Sequence, residues 1–419
     1  MSMGYREMFA VFGRIGVLSF GGPAAQIALM HRELVEERDW LTEKQFLGAL
    51  SFCMLLPGPE AMQLATYAGW RLRGIWGGLL AGLLFVLPGA LVILGLVLGY
   101  AAFGTQDFVQ GIFLGIKAAV VIVVLQALLK VSKKALTGVQ GWVLAALAFV
   151  AIFAFQVPFP LIVFGAGLWG LFAARGSEGG VAPALTRTWA QTLGVALGGA
   201  VIWAAPLAVT AWIVPQPLLT EIGLFFSKLA VVTFGGAYAV LAYMAQDVVA
   251  AQGWLTAPEM MDGLGLAETT PGPLILVTEF VGALAGHKAG GWPLAVAAAS
   301  MTLWVTFVPC FIWIFAGAPY IDWITAQPRL RGALAAITAA VVGVIANLSI
   351  WFAVHVFFAE VGTAGIGPLR VLAPVFGSVN AVAVGFALLA GGLLWGLRLS
   401  LPLVLGLMAL AGWAAQIGL

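Results

Sequence analysis

Long apolar runs alternate along almost the whole chain with short stretches of charge, glycine and proline. Read between those interruptions, the first half predicts helices over residues 8–34, broken at Gly21-Gly22-Pro23, and 43–70, broken at Pro57-Gly58-Pro59. Four unbroken helices follow, over 75–103, 108–131, 141–155 and 159–174. The second half repeats the plan with broken runs over 222–249 and 258–285, then 291–318, 331–358, 376–397 and 401–417. One extra apolar span, 189–213, lies between the halves. Several runs reach the ~20 residues that cross a bilayer, where only helices or closed barrels satisfy their own backbone.

The similarity of the halves is also written in the residues. Ser19-Phe20-Gly21-Gly22 returns 214 positions later as Thr233-Phe234-Gly235-Gly236, and Pro57-Gly58-Pro59 returns at the same offset as Pro271-Gly272-Pro273. Met30 pairs with Met244 and Trp40-Leu41-Thr42 with Trp254-Leu255-Thr256. The expected organisation is a first repeat over 1–175, a linker with one spanning helix over 176–216, and a second repeat over 217–419. With six segments in each half, an odd linker helix turns the second repeat over. The expected fold class is therefore all-α: a polytopic membrane protein of two inverted-topology repeats with broken or re-entrant helices.

Composition and charge sharpen this picture. Hydrophobic residues are 62% of the chain and charged residues 9%, which places it in a bilayer. The net charge of +2 offers no basic run for nucleic acid. Cys53 and Cys310 have no partner at metal spacing and read as structural thiols, and the N-terminus reads as no removable signal peptide. Arg71, Arg73, Lys130, Lys133, Lys134, Arg175 and Arg187 fall in alternate loops of the first half, and Arg329, Arg331 and Arg398 join the same side once the second half is inverted. That side reads as cytoplasmic, with the N-terminus inside and the C-terminus outside; Lys288 and Arg370 depart from the pattern.

Pro23, Pro59 and Pro273 each stand where a helix restarts after a break. The amides that follow have no intrahelical acceptor and carry the positive end of the helix dipole, a natural anion site. Basic residues within apolar segments are costly and usually functional, which singles out Arg14, its repeat equivalent Lys228, and Lys117. The candidate anion-binding set is Arg14, Ser19, Gly21, Gly22, Pro57, Gly58, Pro59, Gln63, Lys117, Lys228, Thr233, Gly235, Gly236, Thr270 and Gly272, with Gln26, Thr66 and Thr269 as further polar lining. Glu60, Glu268 and Glu279 are candidates for coupling protons to transport. No metal site, cofactor motif or catalytic constellation is read, so an enzyme is not expected. An anion channel is the competing reading, and a scaffold without transport the weakest.

These motifs also carry a resemblance. Phe12-Gly-Arg-Ile-Gly with Ser19-Phe-Gly-Gly-Pro, Leu56-Pro-Gly-Pro-Glu-Ala-Met-Gln-Leu-Ala-Thr-Tyr-Ala-Gly, Thr233-Phe-Gly-Gly-Ala-Tyr and Thr270-Pro-Gly-Pro resemble the long, two-domain form of the chromate ion transporter family. The resemblance covers the chain from about residue 8 onward. It implies a bacterial inner-membrane carrier that exports the chromate dianion, driven by membrane potential or proton-motive force, and so confers chromate resistance. Sulfate shares chromate's charge and shape and is a candidate competitor, and an anion channel or carrier for sulfate or another divalent oxyanion is the alternative. A homodimer is compatible with the apolar surface, which identifies no dimer face.

Overall fold

The computed structural model describes residues 4–174, 189–234, 237–325, 327–367 and 369–418. Gly235, Gly236 and the loop charges Arg175 and Arg187 lie outside the described residues. Sixteen helices carry the described chain: α1 (Tyr5–Leu18), α2 (Gly22–His31), α3 (Glu43–Cys53), α4 (Glu60–Phe103), α5 (Asp107–Ala135), α6 (Gly138–Phe153), α7 (Phe159–Ala173) and α8 (Trp189–Ala208) come first. They are followed by α9 (Pro217–Val232), α10 (Ala237–Gln246), α11 (Ala257–Thr269), α12 (Val277–Gly317), α13 (Ile321–Thr325), α14 (Pro328–Phe357), α15 (Ala381–Gly391) and α16 (Leu401–Gly418). Five apolar helical stretches are long enough to cross a membrane, Glu60–Phe103, Asp107–Ala135, Ala190–Ile213, Leu274–Tyr320 and Pro328–Phe357, as a polytopic membrane protein requires.

The halves repeat in backbone detail. The second helix of each runs into a single π-helical turn, Arg32–Glu36 in one and Asp247–Ala251 in the other. A left-handed residue then redirects the chain, Asp39 at φ 52° and Gly253 at φ 63°. Trp-Leu-Thr follows, and the threonine caps the next helix in both. Gln45 N–H donates to Thr42 Oγ1 while Thr42 N–H donates to Gln45 Oε1. Glu259 N–H donates to Thr256 Oγ1 and Thr256 N–H to Glu259 Oε2. Both are capping boxes, legible as Thr-x-x-Gln and Thr-x-x-Glu.

α4 and α12 each fold back on themselves. Arg73 (φ −143°, ψ 28°) and Gly74 (φ 63°, ψ −154°) interrupt α4, and Gly290 (φ −159°, ψ 25°) and Gly291 (φ 68°, ψ −159°) interrupt α12 in the same way. Residues 60–72 and 75–103 then lie antiparallel. A Cβ on Gly69 would sit 2.2 Å from Gly77 O, and one on Gly82 2.5 Å from Thr66 Oγ1. In α12 a Cβ on Gly286 would sit 2.5 Å from Leu294 O and one on Gly282 2.2 Å from Thr302 Oγ1. The hydropathy pattern separated these legs but did not show that glycine closes them into tight hairpins.

The chain forms two compact units, each drawing from both halves. Unit one comprises residues 1–98, 171–237 and 270–334; unit two comprises 99–170, 238–269 and 335–419. In unit one, α12 packs against α8 and α9. Trp203 Nε1 donates to Val305 O and Trp304 Nε1 to Ile202 O, which holds the extra helix against the second repeat. In unit two, α5 packs against α11, α15 and α16. A Cβ on Gly115 would overlap Met408 O, so small residues set how closely these helices approach.

Two features depart from expectation. Residues 361–374, between the last two pairs of helices, form an antiparallel hairpin of Val361–Ile366 and Leu369–Pro374, with Val361 opposite Pro374 and Ile366 opposite Leu369. The fold is thus nearly, not wholly, all-α. The segment expected over 376–397 starts its α-helix at Ala381, where Asn380 Oδ1 accepts from Ala383 N–H. The side-chain cap and the preceding strand fix that boundary, and hydropathy registers neither.

Candidate functional site

Left-handed glycines build the breaks at Gly21-Gly22, Gly58 and Gly272, and backbone bonds tie the breaks of one half to those of the other. α1 ends at Leu18, and Gly21 (φ 84°) and Gly22 (φ 77°) turn the chain into α2, with Pro23 in its first turn. Gly58 (φ 115°) and Gly272 (φ 89°) occupy conformations that only glycine adopts without strain. Gly58 N–H donates to Thr233 O at 2.8 Å, and Gly272 N–H donates to Ser19 O at 2.9 Å. Each Pro-Gly-Pro break is therefore bonded to the Ser/Thr-Phe-Gly-Gly break of the other half. Both bonds lie within unit one.

Glutamines reinforce this lattice on one side. Gln26 Nε2 donates to Gly272 O at 2.7 Å and to Ser19 O at 3.2 Å, so it spans two breaks. Gln63 Nε2 donates to Pro57 O at 2.8 Å. The equivalent second-half positions are Val240 and Val277, which have no amide to offer. Beside Pro59, α4 starts at Glu60, and Gln63 N–H makes its first bond, to Pro59 O. A Cβ on Gly58 would sit 2.8 Å from Cys310 Sγ, and Cys53 and Cys310 are both buried free thiols.

The hydroxyls beside the breaks spend their hydrogens on their own helices. Ser19 donates to Ile15 O, Thr233 to Leu229 O, Thr66 to Met62 O and Thr269 to Leu266 O. Thr270 is buried next to Pro271. The donors left without an intrahelical acceptor beside the breaks are therefore backbone amides of the first helical turns, such as those of Ala61 and Met62.

The cations are placed less uniformly. Arg14 reaches Glu33 at 3.5 Å, and Arg38 bonds the same carboxylate at 2.6 Å; Glu33 is fully buried. Lys228 is exposed on α9. In unit two, Lys117 Nζ lies 3.0 Å from Asp262 Oδ1, and Tyr100 donates to Asp262 Oδ2 at 2.8 Å. Among the carboxyls, Glu268 accepts from the Tyr238 hydroxyl at 2.9 Å in unit two, Glu60 is half-buried, and Glu279 is buried with no ion pair among the described residues. Among the described residues no three His, Cys, Asp or Glu side chains gather as metal ligands.

Unit one thus gathers Arg14, Ser19, Gly21, Gly22, Pro57, Gly58, Pro59, Glu60, Gln63, Lys228, Thr233, Thr270, Gly272 and Glu279, while Lys117 and Glu268 belong to unit two. Sequence reasoning passed over Glu33, Asp262 and Tyr100. A signal existed for the acids: Glu33 has an acidic repeat equivalent, Asp247, and Asp262 lies in an apolar run, where ionisable groups come in pairs.

The Chromate transporter family profile matches residues 6–171 and again 220–413, once over each half. The chain belongs to the chromate transporter family. Relatives in that family include a chromate transport protein of Pseudomonas aeruginosa, 34% identical over 98% of this chain and 92% of its own length. A chromate transport protein of Cupriavidus metallidurans is 31% identical over 81% of this chain and 80% of its own length. No solved structure matches. The chromate transporter matches omit residues 172–219, which include α8, so the extra helix stands outside both copies of the repeat.

Proposed function

We propose that this protein is a secondary carrier that exports chromate across a bacterial inner membrane and thereby confers chromate resistance. The observation that carries the reading is the reciprocal bonding of the four breaks inside a chain whose two halves each match the chromate transporter family. Broken helices at a repeat interface are where secondary carriers bind their substrates, and helix starts beside the breaks supply amide donors for an oxyanion. The anion site is drawn from Ser19, Gly21, Gly22, Gly58, Gln63 and Gly272, with the positive ends of α2 and α4.

The two repeats are read as inverted, with half-length arms near the midplane. An arm such as residues 60–72 extends only about 20 Å at 1.5 Å per residue, against a ~30 Å hydrocarbon core. Exit from an inside-negative cell gains about 2.3 kcal/mol per negative charge per 100 mV. Glu60, Glu268 and Glu279 are the groups that would couple protons in addition; Glu279, buried with no ion pair among the described residues, leads them.

The test is chromate flux in reconstituted vesicles at a clamped potential, with sulfate as competitor. Saturable flux that follows the potential and shows counterflow supports a carrier. Unsaturated flux in both directions without counterflow replaces it by a channel.

A further inference from the structure

Gln26 and Gln63 bond the breaks through their amide N–H groups, and that fixes the role left to the rest of each side chain. Gln26 Nε2 is committed to Ser19 O and Gly272 O, and Gln63 Nε2 to Pro57 O. Carbonyl oxygens only accept, so neither amide can be turned round without losing those bonds. The remaining side-chain atom of each is therefore an acceptor. Gln26 is 1% exposed and Gln63 is fully buried, and neither Oε1 has a donor among the described residues. Cys310 does not supply one, since its thiol lies against Thr306 O at 3.5 Å.

Buried acceptors are the wrong partners for a bare oxyanion. Sulfate or the chromate dianion brings only acceptors, and two amide oxygens beside it would repel it. An oxyanion carrying one proton is different: its unprotonated oxygens suit the amide N–H groups of the helix starts, and its O–H suits a glutamine oxygen. A buried acceptor left unpaired costs enough to decide between such ligands.

We infer that the breaks bind a hydrogen oxyanion, with Gln26 or Gln63 accepting the hydrogen bond from its hydroxyl. This rests on the proposed anion transport and specifies its substrate class. Chromate takes up a proton near neutral pH whereas sulfate stays fully deprotonated, so the same two residues separate anions of equal shape. The transported species is then a monoanion. One charge moves per chromate instead of two, and a proton leaves with it without passing through any carboxyl of the protein.

Two dianions of nearly equal size provide the test. Hydrogen phosphate carries one O–H where monofluorophosphate carries fluorine. Each is titrated against chromate flux in vesicles holding the full-length protein at pH 7.5, and the charge moved per chromate is measured from the reversal potential. Hydrogen phosphate competes at least tenfold better, one charge moves per chromate, and the preference falls toward unity in Gln63→Met or Gln26→Leu. Equal competition by the two probes, including none by either, or two charges per chromate, overturns the inference while leaving transport intact. Absence of chromate flux overturns the functional reading and this inference together. The wild-type measurements stand without the variants, should loss of the Nε2 bonds prevent folding.

Discussion

Lys117 is held by Asp262, and the pairing decides what its replacement does. Lys117→Met leaves a carboxylate that is 1% exposed beside Tyr100 with its cation gone, and Asp262→Asn leaves the reverse. Breaking a buried pair from one side costs on the order of 3–5 kcal/mol, whereas removing both charges costs far less. Each single variant should therefore lose folded protein on extraction, and Lys117→Met/Asp262→Asn should recover most of it, measured as monodisperse protein by size-exclusion chromatography. A double variant as poor as the singles would mean that the pair is not what stabilises unit two. Arg14 and Arg38 around Glu33 follow a milder version of this logic: Glu33→Gln removes the buried charge that both guanidinium groups share, although Arg38 keeps Glu37 at 3.1 Å, and should be more damaging than Arg14→Gln, since Arg14 is half-exposed. At this scale the sequence displayed the cations and hid their partners. An arginine in an apolar run is conspicuous by itself, but pairing across more than a hundred residues, as between Lys117 and Asp262, is a property of the fold. Asp262 has Gly48 as its repeat equivalent, so the internal symmetry gave no hint of it either.

Helix by helix, the apolar pattern located the segments well because each is long and its ends are marked by glycine, proline or a capping threonine. It could not show how neighbouring segments close. The hairpins in α4 and α12 depend on glycines whose absent side chains let backbone touch backbone, and hydropathy treats such a glycine as a neutral residue. The strand pair at 361–374 escaped for a related reason: fourteen residues with three glycines carry too little alternation to register. Packing makes the hairpins testable. A leucine at Gly69 would drive its Cβ to 2.2 Å from Gly77 O, and backbone cannot yield as a side chain can. Overpacking costs about 1–3 kcal/mol even where side chains can shift, so Gly69→Leu should lower the thermal midpoint in detergent strongly. Gly13, on α1 with nothing within 4 Å of an added Cβ, is the control; Gly13→Ala gains helix propensity of up to about 1 kcal/mol and should leave the midpoint equal or higher. Equal losses from both substitutions would remove the close hairpin from the account.

For the whole molecule, duplication was legible from a constant offset, and the structure adds that the copies share π turns, capping boxes, hairpin dihedrals and reciprocal bonds between breaks. Reciprocity could not be read from sequence, because identical motifs in two halves bond across to each other only if the fold brings each to the other's counterpart. Orientation is a separate question, and the proposed inversion turns on α8. Two repeats that each cross an even number of times point the same way when an even number of spans joins them and oppositely when the number is odd; α8, outside both family matches, is the one long apolar helix between them among the described residues. Reporters fused at the N-terminus and after residue 418 should accordingly report opposite sides of the membrane, cytoplasmic first. Removing residues 189–213 should turn the second repeat over, place both reporters on one side, and abolish chromate flux, since the bonds from Gly58 to Thr233 and from Gly272 to Ser19 need the two repeats in their present orientation. Reporters on the same side in the intact chain would end the inverted reading. The cross-bonded breaks would then have to be reached by parallel repeats, and a carrier mechanism based on inversion would lose its foundation.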